Sequence, residues 1–194
     1  MLPANESKAK HMLILILSIV AVLAASGQTG NIDRGTFQRN TYTNHSLGLV
    51  ITLAPGLIQN EEAMAKIPPT PQTTTLIQAW GEKRPLSTRP GTVLYADRLS
   101  YYPEDRRTSA AYIARVTRSQ VFNGYQVVRG KPYSRLGSYL LNRVDLKRGA
   151  IREAVLVATH GGWALVFIFA GNDENEINQL IAETRLEFQE PNSH

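Results

Sequence analysis

Residues 154–170, AVLVATHGGWALVFIFA, form the most informative stretch of the chain. Two apolar runs flank His160-Gly161-Gly162, and paired glycines between such runs are typical of a tight β-hairpin turn. The second run, residues 163–170, contains no polar residue. A strand of this composition is normally covered on both faces, so we predict that it lies in the middle of a sheet.

Further β-like runs precede the hairpin. Pro55-Gly56 ends the second of them, because proline cannot continue a ladder and glycine suits a turn. A turn at Asn44-His45 separates the first two. Residues 61–66 have a helical composition, and residues 83–90 form a basic loop. The first strand of the hairpin is predicted at residues 150–159. Six strands are predicted before it: residues 36–42, 46–53, 74–80, 92–101, 125–129 and 138–144.

Two longer segments have helical spacing instead. From Thr108, which can cap a helix, apolar residues recur at i, i+3, i+4, i+7 and i+11 and predict one buried stripe. Gly124 can end this helix. Asp173, with Glu176 three residues later, predicts the start of a second helix that runs to residue 188. The first stripe comprises Ala110, Ile113, Ala114, Thr117 and Val121, and the second comprises Ile177, Leu180, Ile181, Thr184 and Phe188.

This order of elements predicts an α+β fold. We expect one antiparallel sheet of about six to seven strands sandwiched between helices, as an α/β/α sandwich over residues 36–190. The composition agrees with a globular domain, since 43% of residues are apolar and 19% are charged. The chain has no cysteine, which excludes disulfides, thiolate metal sites and a cysteine nucleophile.

The first 26 residues predict export. Lys8 and Lys10 precede an uncharged apolar run at residues 12–25, and Ala24 and Ser26 suit a signal peptidase site before Gly27. Residues 27–35 then form a flexible leader. The alternative is an uncleaved membrane anchor, although a helix of this length rises only about 21 Å, against a hydrocarbon core of about 30 Å. We therefore predict a periplasmic or secreted protein that touches membrane only through the signal segment.

Three stretches resemble the PsbP-like fold family, which comprises the extrinsic photosystem II subunit and its nuclear-import relatives. They are residues 42–56 (YTNHSLGLVITLAPG), the hairpin at residues 154–170, and residues 184–188 (TRLEF), which would end the last helix. The resemblance implies a scaffold used mostly by binding and assembly subunits. It assigns no catalytic or binding residue.

Charge is strongly segregated along the chain. Residues 82–153 hold fifteen Lys or Arg and six Asp or Glu, together with seven of the eight tyrosines. Arginine suits carboxylate or phosphate capture and stacks on aromatic rings. One interpretation is a basic Arg/Tyr-rich face, and the other is a solvated surface paired with local acids. The predicted anion- or partner-binding residues are Arg106, Arg107, Arg115 and Arg118.

No sequence motif indicates catalysis. The chain lacks HExxH, the GxSxG elbow, the P-loop and the dinucleotide fingerprint. We therefore predict no cofactor, no metal and a non-enzymatic binding or assembly module, whose partner is an envelope protein, a cell-wall polymer or another anion rather than nucleic acid. The alternative is an exported hydrolase built on scattered groups such as Asp97 or His160. Trp80 and Trp163 are expected to be core or sheet-edge residues.

Overall fold

A computed structural model describes residues 32–81, 90–128 and 130–189. The predicted signal segment and most of the predicted leader lie outside the described residues, as does most of the basic loop at residues 83–90. Within the described part, no helix is both long enough and apolar enough to cross a bilayer.

A large antiparallel sheet of eight strands forms the centre of the described chain. Its order is β4-β5-β6-β11-β10-β9-β7, and β8 also pairs with β9. The strands are β4 (Leu57–Gln59), β5 (Thr73–Gly81), β6 (Gly91–Arg98), β7 (Gln126–Val128), β8 (Tyr133–Leu136), β9 (Tyr139–Arg148), β10 (Ile151–His160) and β11 (Trp163–Gly171).

The hairpin prediction is confirmed. His160 pairs with Trp163 across a two-residue turn, and Gly161 and Gly162 both have positive φ, as such a turn requires. β11 lies between β6 and β10, and residues 164–170 are all buried. The predicted mid-sheet position of this strand is therefore correct.

A second sheet contains four strands in the order β1-β2-β3-β12. These are β1 (Thr36–Gln38), β2 (Thr41–Asn44), β3 (Leu49–Thr52) and β12 (Arg185–Phe188). The predicted strand at residues 36–42 was wrong, because a turn at Arg39-Asn40 divides it into β1 and β2. The following turn spans residues 45–48, so β3 also starts later than predicted.

The C-terminal helix ends earlier than its spacing predicted. Helix α3 (Glu174–Glu183) is capped by Asp173, whose carboxylate accepts from the Glu176 amide at 2.9 Å. The chain then becomes extended at Thr184, and β12 pairs with β3. Only Leu186 of this strand is fully buried, in an alternating pattern with period two. The prediction that residues 184–188 end a helix was therefore wrong.

Helices α1 (Glu61–Ala65) and α2 (Ser109–Phe122) complete the fold. Thr108 caps α2 as predicted, through its Oγ1 and the Ala111 amide. The predicted buried stripe of α2 was wrong: Ala110, Ala114 and Val121 are exposed. The buried side is instead Tyr112, Val116 and Gln120.

The two faces of the large sheet carry separate hydrophobic cores. Alternating residues of β10 show this, because Leu156 belongs to one core and Val155 and Val157 belong to the other. α3 and the four-stranded sheet cover the first face, and α2 covers the second. The predicted α+β class is confirmed, with eight strands instead of six or seven and an additional small sheet.

Candidate anion-binding groove

One of the four predicted binding arginines, Arg115, has its contacts inside the protein. The Arg115 guanidinium donates to Asp97 Oδ2 at 3.1 Å and lies over the rings of Tyr102 and Tyr112, 4.3 and 4.5 Å from their centroids. The position of Arg115 off the predicted apolar stripe suggested that it lies on the solvated side of α2. The structure instead places its guanidinium against Asp97 and the two tyrosine rings. Its side chain is only 26% exposed.

Asp97 is the centre of this buried cluster. Its carboxylate is fully buried and accepts from the hydroxyls of Tyr102 and Tyr112, each at 2.5 Å, and from Thr73 Oγ1 at 3.0 Å. Burial and the neighbouring carboxylate raise the pKa of both tyrosines above the ordinary value, so both stay protonated donors. Four protein donors satisfy Asp97, which favours a structural role over a catalytic one.

The other three predicted arginines lie on the surface. Arg107 Nε donates to the Tyr102 carbonyl at 2.8 Å, and Arg106 lies 3.9 Å from the Asp105 carboxylate. Arg118 is exposed on α2. Their role in binding stays a prediction.

Much of the tyrosine content of the basic segment is internal. Tyr125 is buried and donates to Glu153 Oε1 at 3.1 Å, while Arg148 lies over the Tyr125 ring. Glu153 is itself buried, and desolvation raises its pKa to about 7. The described tyrosines therefore do not form one exposed face with the arginines.

Asp97 and His160, the groups named for the hydrolase alternative, contact different partners. Asp97 is held by protein donors, as described above, and the His160 ring stacks on the Phe188 ring at a centroid distance of 4.0 Å. Among the described residues, no group of three or more His, Asp or Glu is arranged to hold a metal ion. Trp80 is buried in the core on the α2 side, as predicted.

A basic groove lies between α3 and the β8-β9 hairpin, with a volume of about 440 Å³. Ile181 and Ala182 of α3 contribute its apolar surface. Its polar lining comes from β8 and the segment that enters it, from β9, from α3 and from the start of β12. These polar residues are Lys131, Ser134, Arg135, Arg143, Asn178 and Arg185.

Arg143 is fixed in position at this groove. Its Nε and Nη2 atoms lie 2.9 and 2.8 Å from Asp145 Oδ1, and Nη1 donates to Asn178 Oδ1 at 2.9 Å. The Arg143 side chain is only 3% exposed, and Asp145 balances its charge. This network connects β9 to α3 and holds the groove in one shape.

The three remaining cations give the groove its charge. Lys131, Arg135 and Arg185 are exposed, and none forms an ion pair with any described residue. Arg135 is oriented by a 2.9 Å hydrogen bond from Nη1 to the Ser138 carbonyl. Among the residues that the structure describes, no Asp or Glu lines the groove. The arrangement therefore suits a ligand that carries phosphate or carboxylate groups.

Sequence reasoning missed this site for a topological reason. Arg185 belongs to the acidic C-terminal segment, where it is the only arginine after residue 171. It reaches Lys131 and Arg135 only because α3 ends at residue 183 and β12 returns along the small sheet. The unbroken helix that we predicted gave no reason to place these residues together.

Comparisons with known proteins add little. No family model matches the chain, and no curated protein matches it. One matching solved structure is LpqN, involved in cell envelope biogenesis of Mycobacterium tuberculosis, with 12% identity and a TM-score of 0.37 over 71% of this chain and 91% of that chain. A likeness this weak carries no argument about function. The resemblance to the PsbP-like family is not confirmed.

Proposed function

We propose that this protein is a non-enzymatic binding module that takes the anionic groups of its partner in the groove between α3 and the β8-β9 hairpin. The observation that carries the proposal is the set of three exposed cations, Lys131, Arg135 and Arg185, with no ion-pair partner among the described residues. They surround a groove of about 440 Å³, and none of its described lining residues is acidic.

The lining favours a ligand with both charge and some apolar surface. Arginine offers parallel N–H donors that match phosphate or carboxylate oxygens, and lysine adds a point charge. Ile181 is buried beneath the groove and Ala182 is exposed at its side, so carbon atoms between the anionic groups have an apolar surface to contact. A phosphorylated or carboxylated polymer has this chemistry.

Calorimetric titration with polyphosphate and with polyglutamate tests the proposal and separates the two anions. The double variant Arg135→Glu/Arg185→Glu should lower affinity about a hundredfold, because each hydrogen bond to a charged group contributes about 1.5–3 kcal/mol. The matched control is Arg106→Glu/Arg107→Glu/Arg118→Glu, which reverses three of the arginines predicted from sequence. If the control loses binding and the groove variant retains it, the site is the sequence-predicted one.

We also propose that the protein works outside the cytoplasm, in the periplasm or as a secreted protein. The support is the apolar run at residues 12–25 and the small residues that follow it. N-terminal sequencing of the protein from cell fractions tests this location. A mature protein that begins at Gly27 in the extracytoplasmic fraction supports the proposal, and one that keeps Met1 in the cytosol contradicts it.

A further inference from the structure

The side of α2 that faces away from the sheet is largely apolar. Tyr112, Val116 and Gln120 face the sheet and are buried. Because an α-helix turns 100° per residue, the opposite side is occupied by small and apolar residues and one arginine. All five of these residues are exposed: Ala110, Ala114, Arg118, Val121 and Phe122.

The largest apolar exposure is at the C-terminal end of this helix. Phe122 is 91% exposed and Val121 is 49% exposed. Val127 of β7 follows the turn at Gly124 and is 52% exposed; it pairs with Leu146, which places it on the α2 side of the sheet. We call Val121, Phe122 and Val127 the apolar tip.

Two arginine side chains lie near the apolar tip. Arg118 precedes Phe122 by one helical turn, and the Arg148 Nε lies 3.9 Å from the position that a Cβ would take at Gly124. Residues 106–128, which include α2 and β7, contain four arginines and no Asp or Glu. The next two acids are engaged elsewhere, since Asp145 binds Arg143 and Glu153 is buried.

We propose that the apolar tip docks on a lipid bilayer rich in anionic headgroups, with Phe122 inserted at the interface and Arg118 and Arg148 near the headgroups. Aromatic and aliphatic side chains beside arginine are the composition that binds such surfaces, through apolar burial together with electrostatic attraction. The positive charge of the neighbouring arginines favours an anionic bilayer over an uncharged one. This contact differs from the predicted one through the signal segment, and from the groove, which lies on the α3 side of the sheet.

The cysteine-free chain allows a local test. Ala114→Cys, labelled with an environment-sensitive NBD fluorophore, places one probe on the outer side of α2 in the full chain. With vesicles of phosphatidylglycerol and phosphatidylcholine in equal parts, its emission should shift to shorter wavelength and iodide quenching should fall. Pure phosphatidylcholine vesicles should give neither change. Because the readout is local, binding of vesicles by the N-terminal residues alone cannot produce it.

Three variants complete the test. Phe122→Asp should lower the apparent vesicle affinity reported by this probe about tenfold or more, without changing stability, because the side chain is exposed. Ile58→Cys, which places the probe at another half-exposed position, should report no shift. Arg135→Glu/Arg185→Glu should leave the shift unchanged, which distinguishes this proposal from the groove.

Four outcomes would overturn the proposal. They are an equal shift on phosphatidylcholine, an equal shift at Ile58→Cys, an apparent vesicle affinity that Phe122→Asp leaves unchanged, and a shift that appears without vesicles as protein concentration rises. The last outcome would assign the tip to contact between copies of the chain.

Discussion

The Tyr112 hydroxyl lies 2.5 Å from Asp97 Oδ2 and joins the first turn of α2 to β6. The same oxygen accepts from Tyr102 and Arg115, while Thr73 of β5 donates to the other carboxylate oxygen. Because Asp97 is fully buried, these bonds replace the water that the charge loses on folding. This one carboxylate therefore holds together elements that are far apart in sequence.

Asp97→Asn should destabilise the protein by about 2–4 kcal/mol, because the amide has one acceptor oxygen where the carboxylate has two, and because Arg115 loses its counter-charge. Asp105→Asn is the matched control, since Asp105 has an exposed side chain, and it should change stability by no more than about 0.5 kcal/mol. Urea unfolding measures both. Equal effects of the two variants would show that the cluster does not hold α2 to the sheet.

Glu153 should make stability pH-dependent. Its pKa is about 7 in the folded protein against an ordinary value of 4.5, so its contribution favours folding fully below about pH 4.5 and is lost as pH rises through about 7. Glu153→Gln should therefore be more stable than the unsubstituted protein at pH 8, by on the order of 3 kcal/mol, and nearly equal to it at pH 4.5. Thermal unfolding across pH measures the difference. A difference for Glu153→Gln that stays flat across this pH range would contradict the assignment.

Leu186→Ala tests the position of β12. Leu186 is buried opposite Ile51, so the truncation should cost about 2–5 kcal/mol in denaturant unfolding. Its neighbour Glu187 is exposed, and Glu187→Ala should cost no more than about 0.5 kcal/mol. A reversed ranking would mean that this segment does not pair with β3 in the register observed.

Arg143 and Arg185 both line the groove, but their substitution should affect stability differently. Arg143→Ala should destabilise the protein by about 2–4 kcal/mol, because Asp145 loses its partner in a largely buried site. Arg185→Ala should leave stability within about 0.5 kcal/mol of the unsubstituted value, because Arg185 has no ion pair with a described residue. If Arg185→Ala were as damaging as Arg143→Ala, the walls of the groove would be part of the folding network and not available to a ligand.

Local sequence patterns predicted the elements whose signals are local. The Gly161-Gly162 turn, the apolar run of β11 and the caps at Thr108 and Asp173 each depend on residues within a few positions, and all are confirmed. β8 was missed because its four residues show no strong alternation and it forms only by pairing with β9.

Sequence patterns failed to predict the features that depend on tertiary contacts. The period of α2 placed Val121 in the core, whereas Tyr112 is buried there because Asp97 accepts its hydroxyl. Thr184 and Phe188 fit helical spacing, yet β3 offers a free edge that an extended chain completes. The groove depends on this second choice, which brings Arg185 to the β8-β9 hairpin, so no motif in the sequence indicates it.

NMR titration of the full chain with polyphosphate, followed through the backbone amide shifts, shows directly which residues contact the anion. We expect the largest changes at residues 131–137, 178–182 and 185, and we expect them to disappear in Arg135→Glu/Arg185→Glu. Changes centred instead on Arg106, Arg107 and Arg118, or an absence of any saturable change, would contradict the proposed binding in the groove.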